Sequence, residues 1–180
     1  MVEKQIFERY LCSMPHPSVQ VANQLLAAHG DVSHMKLQKL LYYANGWWLA
    51  THGEPLLNEP PQVWRYGPVF RGLYGIFARF GHSSIGTPVS PGPFPNGVNL
   101  VEGDNGNVTP FLDWIWQEHG HKTAGQLSDE THALGTPWRQ IAEKHNFRVP
   151  PNTVIEPELD YDYFANLAKV RGVPTVPLCA

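Results

Sequence analysis

The stretch KLQKLLYYANGWWLATHGEPL, residues 36–56, constrains the fold more than any other part of the chain. Leu37, Leu40, Leu41, Ala44 and Trp48 recur at the i, i+3, i+4, i+7 spacing of one helical stripe. Tyr43, Trp47 and Ala50 lie beside that stripe, and Tyr42 flanks its other side. The helix spans 34–52, with Ser33 as its cap and Gly53 as its stop. Its apolar arc is wider than one amphipathic face needs, so it is either central in a core or covered by a partner. The stripe itself is core. Tyr43 and Trp47 are the positions where interior packing and a partner-facing edge compete.

The flanking sequence supplies more helices. Residues 18–30 read as a helix, with Ser18 as cap and Gly30 as stop. Residues 54–70 are extended, with Val63-Trp64 a short strand and Tyr66-Gly67-Pro68 a turn. Pro68 then occupies a first helical position, and Val69, Leu73, Ile76, Phe77 and Phe80 form the apolar face up to Gly81. Thr109 caps a helix over 109–120 with Pro110 at its first position. Thr123 caps another that runs to Leu134, Pro137 starts a third, and a last helix begins at Pro157 and stops at Gly172.

Residues 82–108 are rich in Gly, Pro, Ser and Asn and too long for an ordinary connection. They read as an extended excursion with a hairpin around LVEGDNGNV, or as a disordered surface loop. The fold expected is mainly α: a single globular helical domain over 18–172 with a minor β or extended element and this long Gly/Pro-rich loop. An N-terminal segment, 1–17, precedes it and a tail, 173–180, follows.

Composition narrows the function. At 180 residues with 42% hydrophobic content the chain can bury a core. Charged residues make up 16%, below the roughly 25% of typical soluble domains, while six Trp and seven Tyr are many. The net charge is −3 and no Lys/Arg cluster has the density a phosphate backbone asks for, so nucleic acid is not the expected partner. No apolar run is long enough to span a membrane. The two cysteines, Cys12 and Cys179, make a disulfide framework unlikely and fit a reducing cytoplasm.

Candidate chemistry is thin. Nine His include His119 and His121 two apart and His29 and His34 across a turn, but no HExxH or CxxC spacing gathers three or four metal ligands. No phosphate-cradling glycine loop occurs. LSDETHALGTPW, residues 127–138, puts Ser128 and His132 four apart on a helix, where a Ser–His dyad can be drawn. The competing reading is adjacent polar groups that cap helices or bond backbone. No catalytic residue, metal or cofactor is expected.

Three clusters now stand in order: KLQKLLYYANG (36–46), Trp64 with Gly67-Pro68-Val69, and Leu127, Ser128, Thr131, His132, Pro137 and Trp138. Together they resemble the Panacea domain, a phage- and prophage-associated family found as the antitoxin of toxin–antitoxin pairs. The resemblance covers residues 18–170. It implies a cytoplasmic, non-enzymatic antitoxin that binds a cognate protein toxin, encoded by a neighbouring gene, and neutralises it by stoichiometric contact. It also leaves open a phage protein acting on a host-defence protein. The alternative from another class is a hydrolase-like enzyme using the Ser128/His132 region.

On the residues, Tyr43, Trp47, Trp64, Arg65, Tyr66 and Pro68 are the candidate partner contacts. Trp64, Tyr66 and Pro68 make a rigid aromatic corner that pairs large contact area with low entropic cost. Lys36, Gln38, Lys39, Gly67, Thr131, His132, Pro137 and Trp138 are expected to be a structural signature.

Overall fold

The computed structural model describes residues 14–90, 101 and 107–179. Among them are seven α-helices and two small antiparallel sheets. The order is α1 (Ser18–His29), β1 (Val32–Ser33), α2 (His34–His52), β2 (Gln62–Trp64), β3 (Gly67–Val69), α3 (Arg71–Phe77), β4 (Ser84–Ile85), α4 (Val108–His119), α5 (Ala124–Thr131), α6 (Pro137–Lys144) and α7 (Pro157–Arg171). A turn of 3₁₀-helix, Ala78–Phe80, extends α3.

Helix α2 is the axis. Ser33 caps it by accepting a hydrogen bond from Lys36 N, and Gly53 ends it in the left-handed conformation. Between His34 and Ala50 every residue except Met35 and Lys36 is buried. The wide apolar arc is therefore covered from all sides by the other helices and by β3. Its closest neighbour is α7. A Cβ on Gly46 would sit 2.0 Å from the Phe164 ring, so the two helices meet where a side chain is missing. Asp160, also on α7, accepts a 2.6 Å hydrogen bond from the Tyr42 hydroxyl. Burial pushes the Asp160 carboxyl up to about 7, with the Tyr42 bond opposing that shift.

Several boundaries differ from expectation for stated reasons. Pro17, not Ser18, caps α1; Ser18 is already helical, and its N–H and hydroxyl both reach Asn58 Oδ1 at 3.1 Å. Helix α4 starts at Val108, two residues ahead of the expected first position Pro110, and the Thr109 hydroxyl accepts from Gln24 of α1 instead of capping. Helix α5 stops at Thr131 because Thr136 begins the next helix: its hydroxyl caps Arg139 N and donates to Thr131 O and Ala133 O. Pro68 does not open a helix. It lies in β3, paired with Val63, in a hairpin whose connection is Arg65-Tyr66.

The described part of the 82–108 excursion is anchored to the core. Strand β4 pairs with β1 through Val32–Ile85 and Ser33–Ser84. Buried Asn23 then clasps Val89, donating to its O and accepting from its N at 2.8 Å each. The hairpin expected around LVEGDNGNV falls mostly outside the described residues. Residues after Gly172 return to the core: Val176 N donates to Ala50 O and Cys179 N to Gly53 O. Cys179 is disulfide-bonded, against the expectation that a disulfide is unlikely; Cys12 lies outside the described residues. Among the described residues no helix is long and apolar enough to cross a membrane.

Candidate functional site

The β2–β3 hairpin is where the signature residues converge. Its two-residue connection lacks the Asn-Gly or Asp-Gly pair that makes a tight turn self-sufficient. Neighbouring side chains hold its backbone instead. From α2, Lys39 Nζ donates to Pro68 O at 2.7 Å. Gln38 clamps Phe70, accepting from its N at 2.8 Å and donating to its O at 3.2 Å. From α5, the Ser128 hydroxyl donates to Tyr66 O at 3.0 Å, and His132 Nε2 meets Arg65 O at 3.2 Å. From α6, Trp138 Nε1 donates to Trp64 O at 2.8 Å, and its ring lies edge-on to His132.

Gly67 closes this cradle. Its φ is +98°, and a Cβ there would lie 2.5 Å from Thr131 Oγ1 and 2.8 Å from Lys39 Cε. The order of the three clusters now has a physical reason: the first and third contribute donors to one run of carbonyls, 64–70, which the second supplies. Each bond is worth about 1 kcal/mol net, and removing a donor leaves a carbonyl unsatisfied at a cost of about 1–3 kcal/mol.

With the backbone held, the side chains at the tip are free. Arg65 and Tyr66 are exposed, Tyr66 at 60%, and the guanidinium lies over the phenol ring. Trp64 is half-buried, its ring 4.8 Å from that of exposed Tyr74 on α3. Tyr74 was not singled out from sequence. The available signal was its place off the apolar face of the 69–80 segment.

Three expected contacts are not at the surface. Tyr43 is buried, stacked on His119, with its hydroxyl donating to Glu130 at 3.3 Å. Trp47 is 1% exposed, wedged against Trp114 and Phe164 with Arg171 over its ring. Both face α4 and α7, which cover the part of α2 that looked like an open edge. Pro68 is buried beneath the hairpin tip.

Lys36 and Pro137 have roles other than bonding the hairpin backbone. Lys36 points away from the hairpin, donating to Gly120 O at 2.6 Å and lying over Trp116. Pro137 starts α6 and so sets the direction of Trp138.

The drawn Ser–His dyad does not form. The Ser128 hydroxyl is committed to Tyr66 O, and both His132 ring nitrogens meet carbonyls, Nδ1 that of Ser128 at 2.5 Å. Among the described residues no three His, Cys, Asp or Glu side chains group as a metal site. Burial lowers Lys39 to about 7. Burial, then the Lys122 charge, lowers His119 to about 4.

The residues that build this cradle lie in a segment, 37–139, that matches the family model for the SocA-like antitoxin, Panacea domain. The chain belongs to the SocA-like Panacea family. It is also similar to the antitoxin SocA of Caulobacter vibrioides (strain NA1000 / CB15N), 33% identical over 128 residues that cover 68% of each chain. No solved structure matches it. Of the Panacea segment, Gln38, Lys39, Ser128, His132 and Trp138 hold the hairpin, while Arg65 and Tyr66 are exposed at its tip.

Proposed function

We propose that this chain is an antitoxin that neutralises a cognate protein toxin by direct stoichiometric binding, and that the tip of the β2–β3 hairpin is a central part of the contact. The observation that carries this reading is the division of labour in the Panacea segment. Five side chains from three helices spend their hydrogen bonds on one hairpin backbone, and the side chains they leave outside are an arginine and a tyrosine. An Arg–Tyr pair on a backbone held rigid by these bonds, beside a half-buried Trp, is the composition of an interface hot spot. The rigidity limits the entropy lost on binding.

The family favours binding over catalysis, and the commitment of Ser128 and His132 to backbone carbonyls removes the most economical enzyme reading. Sequestration of the toxin's working surface is the simplest mechanism; delivery of the bound toxin to a protease uses the same first contact. The test is co-expression with the protein encoded by the neighbouring reading frame, scoring growth and co-purification. Rescue of a toxic neighbour with a stable complex, weakened by Arg65→Ala and Tyr66→Ala, is the expected result. A harmless neighbour that does not co-purify removes the pairing and directs the search to host-defence proteins.

A further inference from the structure

Beside the hairpin tip lies a cleft of about 520 Å³ between the start of α2, the hairpin and the end of the α3 segment. Its walls are aromatic: Trp64, Tyr66 and Tyr74, with the Tyr74 ring 5.0 Å from that of His34. The other titratable groups that line it are His34, Lys39, Arg65 and His82, and no carboxylate is among the lining residues. Every ionisable group besides the two phenols is thus a base, in a protein whose net charge is −3. Lys39 is 1% exposed, and its Nζ has one acceptor among the described residues, Pro68 O. An ammonium carries three donors. The cleft therefore holds a buried donor with spare capacity at its floor and an exposed guanidinium at its rim.

We infer that this cleft receives a side-chain carboxylate, Asp or Glu next to an apolar residue, from the protein partner. The inference rests on the reading that the chain binds a protein and names the chemistry that binding uses. Charge complementarity selects the anion. The aromatic walls select an apolar neighbour, which a free inorganic anion lacks. Burial lowers Lys39 to about 7, and an entering carboxylate favours its charged form. Arg65 at the rim supplies a bidentate partner for the same group.

The experiment uses the full chain and the neighbouring reading frame's product. Arg65→Glu and Lys39→Met are compared with Lys169→Glu, a charge reversal at an exposed position on α7 remote from the cleft. The folded state of each is checked by circular dichroism. The expected result is a loss of roughly tenfold or more in affinity for both cleft variants and little change for Lys169→Glu. Replacing the contacting partner carboxylate by Lys should restore binding to Arg65→Glu. Arg65→Glu sits at an exposed position, so it decides the matter even if Lys39→Met folds poorly.

A complex that forms with both cleft variants as tightly as with the control overturns the cleft assignment and leaves the antitoxin reading standing. If the neighbouring protein does not bind at all, that pairing fails, and the free protein decides the cleft. Selective NMR shifts at Met35 and Tyr74 with 3-phenylpropionate, but not with 3-phenylpropanamide, uphold it; equal or absent responses to the two overturn it.

Discussion

The α2–α7 interface and the β2–β3 hairpin are both rich in aromatic residues, and they use them in opposite ways. At α2–α7 the rings are the structure. Tyr42, Tyr43 and Trp47 pack edge-on against Phe164, and Gly46 lets the helix axes close until that ring fills the gap. At the hairpin the backbone is held by side chains of neighbouring helices, and Tyr66 at its tip is 60% exposed. A ring that must pack cannot also recognise a partner. The hairpin draws its stability from donors on α2, α5 and α6, which leaves the Tyr66 ring exposed.

Breaking the interior half of this comparison should have the largest effect. Phe164→Ala removes the ring that Tyr42, Tyr43 and Trp47 share and should destabilise the fold by about 3–5 kcal/mol, read from urea unfolding. A loss under about 1 kcal/mol would mean that α7 is not part of the core.

The second effect is pH-dependent. Lys39 is lowered from 10.5 to about 7 in the folded chain. Between those values the unfolded chain binds the extra proton and the folded chain does not, so stability rises with pH through this window and falls as pH drops toward 7. Lys39→Met should remove this contribution, on the order of a few kcal/mol across the window. Unfolding of both proteins between pH 7 and 9.5 checks it; parallel curves would contradict it. Below pH 7 two other groups act in opposite senses. Asp160, raised to about 7, makes stability fall with rising pH from 3.8, whereas His119, lowered to about 4, makes it rise up to 6.5.

Loosening the cradle comes next. Trp138→Phe keeps most of the packing but leaves Trp64 O without its donor, and should cost about 1–3 kcal/mol. Amide exchange at 64–70 should quicken more than at α7. Uniform acceleration would show that the hairpin has no separate support.

The smallest change in stability belongs to Tyr66→Ala, expected within about 0.5 kcal/mol because the ring is exposed. Partner affinity should nevertheless fall roughly tenfold or more. A large loss of stability without a loss of affinity would reverse the assignment of roles to the two regions.

Much of the helical architecture was legible because helix signals are local. Ser33 and Gly53 bound α2, Thr123 and Gln126 form a capping box at α5, and Gly172 ends α7 in the left-handed conformation. Each needs only residues a turn apart. Pro68 misled because proline before an apolar helical face usually marks a first turn. The hairpin that claims it depends on Lys39 and Val63, far away in sequence or across a turn without the usual residues.

The family, most of the helices and the stripe of Leu37, Leu40, Leu41, Ala44 and Trp48 that makes α2 core are readable along the chain. Periodicity and caps act within one helix, so they can be read there. Only the tertiary structure decided that Trp47 and Tyr43 are sealed while Tyr66 is open, and that Gln38, Lys39, Ser128, His132 and Trp138 serve one hairpin. Burial of a ring is set by what packs over it, and a carbonyl's donor by which helix passes beside it. Neither is a property of the segment that carries the residue.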